Sequence, residues 1–274
     1  MIREFSLQED VNNKLSIVKL TDLFKYERTS EHRVVQLINK IKNSGILINP
    51  IVWDKNRQLL IDGHHRVKAF EMLGIESIPA FHVDYLSKDV QILPWYRIIH
   101  PHSVNRVADL FQYVKFKDDT LNFKGLLWTV CANEIDGSEI LCRKFNSAFE
   151  AAEFNYWFYQ ICNDDGFKVE ISAEEPKVKW ENSNSFYVNI YPVIGKNEVL
   201  FASQNSILFP PQVNRHTIKN RIINLTLPLD ILLGRKKDVN EKFIKHINHK
   251  SFLHNKKSIW FDQRYYQEST IQLI

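Results

Sequence analysis

Cysteine is scarce in this chain. Its 274 residues hold three, Cys131, Cys142 and Cys162, an odd number with no CxxC spacing. That pattern argues against a disulfide framework or a zinc ribbon, and the three are expected as small buried side chains in a reducing compartment. Long apolar runs are missing too. No segment approaches about 18 uninterrupted apolar residues, and the opening MIREFSLQED lacks the hydrophobic stretch of a secretion signal. A cytoplasmic protein without membrane contact is the expectation. The familiar nucleotide motifs are absent as well: there is no GxxxxGK(S/T), no GxGxxG and no protein-kinase catalytic loop. Charge of one sign is modest, at +4 net, too little to imply nucleic-acid binding by itself. It is unevenly placed, with eight Lys/Arg against Asp238 and Glu241 between Gly234 and Lys257, a local balance of +6.

What is present is an ordinary globular composition, 44% hydrophobic and 25% charged, long enough for one large domain or two modest ones. The most informative stretch is Leu59-Leu60-Ile61-Asp62-Gly63-His64-His65-Arg66. Its apolar start reads as a short buried strand, Asp62-Gly63 as a turn, and Val67 to Gly74 as a helix closed by glycine. A strand that turns into a helix leaves backbone N–H groups without acceptors and a dipole that favours an anion. Gly63 permits close backbone approach, Arg66 and the two histidines add donors for phosphate oxygens, and Asp62 is placed to hold an accompanying cation. The same junction also serves purely structural turns, so these eight residues leave both readings open. Metal binding by His64 and His65 as a pair is disfavoured, because adjacent residues project in different directions.

Around this stretch the order is β-α-β-β-α-β. Leu15 to Leu20 reads as a strand, and Thr21 to Ser30 as a polar loop containing Tyr26-Glu27-Arg28. Glu31 to Ser44 reads as a helix stopped by Gly45, Pro50 to Trp53 as a strand, and Ser77 to Val83 as a further strand. Later, Leu126 to Val130 and Ser185 to Pro192 read as strands, and Ser147 to Cys162 as an aromatic-rich helix of core type. A Phe209-Pro210-Pro211 block leads into Asn214-Arg215-His216, with Pro228-Leu229-Asp230 beyond it.

The segment from Ile17 to Asp84 resembles the ParB/sulfiredoxin-like fold. Glu27 before the first helix, Asp62-Gly63-His64-His65-Arg66, Pro94-Trp95-Tyr96-Arg97, and the Phe-Pro-Pro and Pro-Leu-Asp blocks are similar to the free L-serine kinases of that superfamily. His64 stands where sulfiredoxins carry their cysteine, and Gly-His-His-Arg differs from the Gly-Glu-Arg-Arg box of ParB proteins. The resemblance implies an α/β (α+β) protein with a nucleotide-binding domain at 1–98 and a second α/β lobe at 99–234 completing an amino-acid pocket. A basic tail at 235–274, with His246, His249 and His254, would be a solvated helix plus a loose end, or a docking patch. It also implies a catalytic set of Glu27 as general base, Asp62 and His65. Gly63, His64, His65 and Arg66 would bind the phosphates, with Mg²⁺ held partly by Asp62, and ATP or ADP would be the donor. Trp95, Asn214, Arg215 and His216 would form the pocket for free serine. Arg215 and His216 would take its carboxylate, and Asn214 departs from the threonine of the family. The expected alternatives are a kinase for another small hydroxy amino acid, or a ParB-like nucleotide-binding module in DNA binding or regulation. Nucleic acid is not expected, because no helix-turn-helix follows residue 84.

Overall fold

The computed structural model describes residues 11–100, 128–134, 139–174, 186–234 and 236–274. Leu126, Leu127 and Ser185 of the expected strands lie outside these. Helices and strands are mixed throughout, as expected of an α/β protein. The chain divides into two compact units. One comprises 1–91, 200–208 and 216–274, the other 92–199 and 209–215.

In the first unit the core sheet has the order β1-β5-β3-β4, built from β1 (Leu15–Lys19), β3 (Ile51–Asp54), β4 (Leu59–Asp62) and β5 (Ser77–His82). β1 and β5 run antiparallel, β5 and β3 parallel, and β3 and β4 antiparallel. Leu59, Leu60 and Ile61 are all buried, which is why β4 reads as an unbroken apolar run rather than an alternating one. Helix α1 (Glu31–Ser44) ends at Gly45, whose left-handed φ of 67° supplies the stop. The next helix, α2 (His64–Met72), begins three residues earlier than its apolar spacing suggests, with Gly63 as its N-cap. His64 and His65 therefore lie inside its first turn.

The expected basic tail is not a loose end. Residues 216–274 belong to the first unit, so the division at 98 and 234 differs from the one observed. β13 (Arg221–Ile223), β18 (Thr270–Leu273) and β15 (Phe252–Asn255) form a three-stranded sheet. β13 pairs with β18 in parallel, and β16 (Ile259–Phe261) with β17 (Arg264–Tyr266) as a hairpin. The expected helix is present as α6 (Lys236–Asn248) and buries Val239, Phe243 and Ile247.

The second unit is a five-stranded antiparallel sheet of order β10-β7-β11-β8-β9. Its strands are β7 (Tyr96–His100), β8 (Trp128–Glu134), β9 (Glu139–Phe145), β10 (Lys168–Ser172) and β11 (Phe186–Tyr191). The aromatic-rich helix α3 (Ala148–Asp164) packs on this sheet through Phe154 and Phe158. Its N-cap is Ser147, whose Oγ accepts from Glu150 N, while Glu150 Oε2 accepts from Asn146 N just before the cap. Cys162 lies on the buried face of α3, and burial pushes its thiol up to about 12. Among the described residues no helix is long and apolar enough to cross a membrane.

Candidate active site

Gly63 sits between β4 and α2 at φ 112°, a conformation that side chains rarely adopt. A Cβ here would lie 2.7 Å from Ile51 Cγ2 and 3.1 Å from two nitrogens of Arg66. The amides of His64, His65 and Arg66 precede the first intrahelical bond, from Val67 N to Gly63 O at 2.9 Å. No side chain caps them, and the first turn carries no acid. The helix start keeps its preference for an anion.

Asp62 is the surprise of this turn. Its Oδ2 accepts from Arg221 Nη1 at 2.6 Å and Arg264 Nη1 at 2.8 Å, and its Oδ1 lies 3.6 Å from Arg66 Nη2. Burial raises the Asp62 pKa, but Arg264, Arg221 and Arg66 outweigh it and hold the carboxyl well below the usual carboxylate range. Glu268 Oε1 is 3.4 Å from Arg221 Nε, so three guanidiniums face two carboxylates. A divalent cation does not fit this arrangement, because the oxygens meant for it are already held by positive charges. Among the described residues no group of three or more His, Cys, Asp or Glu is gathered to hold a metal. In this structure Asp62 anchors arginines, and the expectation that it holds a cation stands untested.

Arg66 is anchored likewise. Its Nη1 donates to the carbonyls of Asn49, at 3.0 Å, and Pro50, so part of the expected phosphate fork is spent on backbone. Arg264 is more open, 36% exposed at its side chain against 4% for Arg221, and its guanidinium lies 4.9 Å from the Tyr266 ring. Motif reading missed both Arg221 and Arg264. The available signal was indirect: an aspartate at the end of a buried apolar strand calls for basic partners.

The two histidines of the motif act as acceptors. His65 Nε2 accepts from Ser30 N at 3.0 Å, and His64 Nε2 from Tyr26 N at 3.4 Å. Burial lowers His64 to about 3 and His65 to about 4, with Arg33 adding to the effect at His65. Both rings are neutral at physiological pH. Glu27, half-buried, lies in the loop between these two anchor points.

His216 does not join Arg215. Neighbouring residues of a strand point to opposite faces, and β12 (Asn214–Ile218) separates them in this way. His216 is buried, with Tyr26 Oη 3.3 Å from its Nδ1 and Tyr85 Oη 3.0 Å from its Nε2. The Tyr26 hydroxyl also donates to Ile61 O at 3.3 Å, and burial, then Glu27, raises its pKa well above the ordinary value. In this structure His216 is a buried polar node between two tyrosine hydroxyls. The second unit does gather Trp95, Asn214 and Arg215. Trp95 Nε1 donates to Asn214 O at 3.0 Å, the Arg215 guanidinium lies 5.7 Å from the Trp95 ring, and Arg215 Nη1 reaches Ala173 O at 3.5 Å.

No family model matches the chain. It is 29% identical over 203 residues to a "ParB-like protein" of Sulfolobus acidocaldarius, covering 70% of this chain and 86% of that protein. It is 24% identical over 230 residues to an "ATP-dependent L-serine kinase" of Staphylothermus marinus, covering 79% and 90%. Among solved structures it superposes on "SbnI with C-terminal truncation from Staphylococcus aureus", with TM-score 0.70, 17% identity and coverage of 87% and 97%. It also superposes on "Free serine kinase in complex with AMP", with TM-score 0.64, 17% identity and coverage of 80% and 93%. The resemblance carried by the Asp62–Arg66 and Phe-Pro-Pro blocks thus extends over most of the chain and to the fold.

Proposed function

We propose that this protein is a free serine kinase, moving the terminal phosphoryl group of ATP or ADP to the hydroxyl of L-serine and giving O-phospho-L-serine. The observation that carries the reading is the similarity, over 79% of the chain, to an ATP-dependent L-serine kinase. The uncapped start of α2 beside a surplus of guanidinium supports it.

In this reading the donor's phosphates rest on the amides of His64, His65 and Arg66, and the arginines fixed around Asp62 add a standing positive field beside them. Glu27 orients the serine hydroxyl and takes its proton as the oxygen bonds to phosphorus. The bridging P–O bond of the donor breaks, and the leaving nucleotide keeps its electron pair. Arg215 meets the serine carboxylate, Trp95 walls the same pocket, and Asn214 lies beside them. Magnesium would enter as a companion of the nucleotide's phosphates, shielding their charge.

Purified protein incubated with a panel of free hydroxy amino acids and either ATP or ADP, read by mass spectrometry, should yield phosphoserine. Phosphorylation of another amino acid in preference would change the substrate. No phosphorylated product with any acceptor would overturn the reading.

A further inference from the structure

We propose that His64 and His65 are positioning residues for Glu27, bracing the loop that carries it, rather than donors to the donor's phosphate. This rests on the kinase reading for the role of Glu27, while the brace itself is visible without turnover.

The argument starts from what each partner can do. A backbone N–H only donates, so the ring nitrogen facing it must offer a lone pair. Tyr26 N and Ser30 N both point at an Nε2, which fixes each ring as the neutral Nδ1–H form. A ring in that state has no positive charge to give a phosphate, and its Nε2 is occupied. Burial and the surrounding cations keep both histidines in it far below neutral pH.

The anchor points also have the right spacing. Tyr26 precedes Glu27 and Ser30 follows it by three residues, so the short segment is held at both ends by one rigid helix start. The hold continues on either side. Phe24 N donates to Gln58 O at 2.7 Å, and Leu60 N to Phe24 O at 3.0 Å, stitching the loop to β4. The Tyr26 ring stands edge-on to His64 with centroids 4.8 Å apart. Ser30 is the N-cap of α1, and its carbonyl takes the bond from Val34 N at 3.0 Å, so His65 also fixes where α1 begins. A general base works only within hydrogen-bond reach of the proton it takes, and a misplacement of about 1 Å can cost about 10²-fold in rate. Two imidazoles that remain neutral acceptors are suited to that task.

The test compares three substitutions at His65 for kcat and for nucleotide KM. His65→Gln keeps an acceptor, His65→Lys keeps a cation but no acceptor, and His65→Ala keeps neither. The brace predicts that His65→Ala lowers kcat by about 10-fold to 100-fold with nucleotide KM nearly unchanged. His65→Gln should recover much of that loss and His65→Lys none. A rise in nucleotide KM at unchanged kcat, or rescue by His65→Lys above His65→Gln, would overturn the proposal. The unmodified protein gives a second reading: ¹⁵N imidazole shifts at pH 7 should show neutral Nδ1–H rings, and the Ser30 amide should exchange slowly with solvent. A protonated His65, or a Ser30 amide that exchanges freely, removes the brace whether or not the protein is a kinase. Both signatures present in a protein that phosphorylates nothing would sink the kinase reading alone.

Discussion

Arginine is used in opposite ways in the two units. In the first, Arg66, Arg221 and Arg264 converge on one carboxylate, and Arg66 spends further donors on backbone carbonyls. In the second, Arg215 lies by the Trp95 ring and reaches the Ala173 carbonyl among its contacts. A guanidinium tied to the half-buried Asp62 carboxylate is part of the scaffold, because removing that carboxylate strands the buried charge of Arg221. A guanidinium laid on an aromatic ring retains its fit to a planar carboxylate. The lesson is that equal charge does not mean equal role. Substitutions in the first cluster should be read in stability, and those in the second in substrate KM.

Asp62→Ala is the severest way to break this contrast. It leaves the guanidiniums without their shared carboxylate and should cost about 3–5 kcal/mol of stability, read as a shift in the urea midpoint. A change in activity alone, at unaltered midpoint, would mean that Asp62 serves the chemistry and not the scaffold. Glu27→Gln comes next. It should lower kcat by at least about 10²-fold while the midpoint and nucleotide KM hold, since the amide keeps the shape of the carboxyl but takes no proton. Arg215→Ala should raise the KM for serine by about 10-fold to 100-fold, the worth of about 1.5–3 kcal/mol for a hydrogen bond to a charged group. The nucleotide KM should change little; an equal rise in both would move Arg215 to the phosphate side and dissolve the contrast.

A probe that changes no residue is pH. His64 and His65 are neutral in the fold with pKa values lowered from 6.5 to about 3 and about 4. Below about pH 6.5 the unfolded chain binds their protons and the folded one does not. Stability should therefore fall as pH drops from 6.5 towards 4 and then 3, by up to about 1.4 kcal/mol per unit for His64 and less for the part-exposed His65. Asp62, with a lowered carboxyl pKa, adds its own loss only below its ordinary 3.8. Urea unfolding at pH 7, 6, 5 and 4 measures the slope. A flat profile between 6.5 and 4 would mean that the histidines are not neutral acceptors.

Local signals were legible and long-range ones were not. Leu59 to Ile61 and the helix stopped at Gly45 are written in runs and spacing that neighbouring residues determine. The start of α2 was misplaced because His64, His65 and Arg66 carry neither apolar periodicity nor a capping side chain. Grouping Arg215 with His216 followed their adjacency, which strand alternation defeats. Arg221 and Arg264 had no local signature, since the pairing of β13 with β18 and the β16–β17 hairpin decides what they reach. The chain end read as loose because β15 through β18 are short and interrupted by polar residues.

The arginine knot also sets a timetable for synthesis. Arg221 follows Asp62 by 159 residues and Arg264 follows it by 202. At about 5–20 residues per second on the ribosome, the second of these partners arrives about 10–40 seconds after the aspartate. Until Arg221 has been made the β4–α2 turn has Arg66 as its companion among these three arginines, and Arg221 joins before Arg264. The cluster around Asp62 is therefore complete only once residue 264 has been made, and a nascent chain halted before that point lacks one of the three arginines that hold the turn.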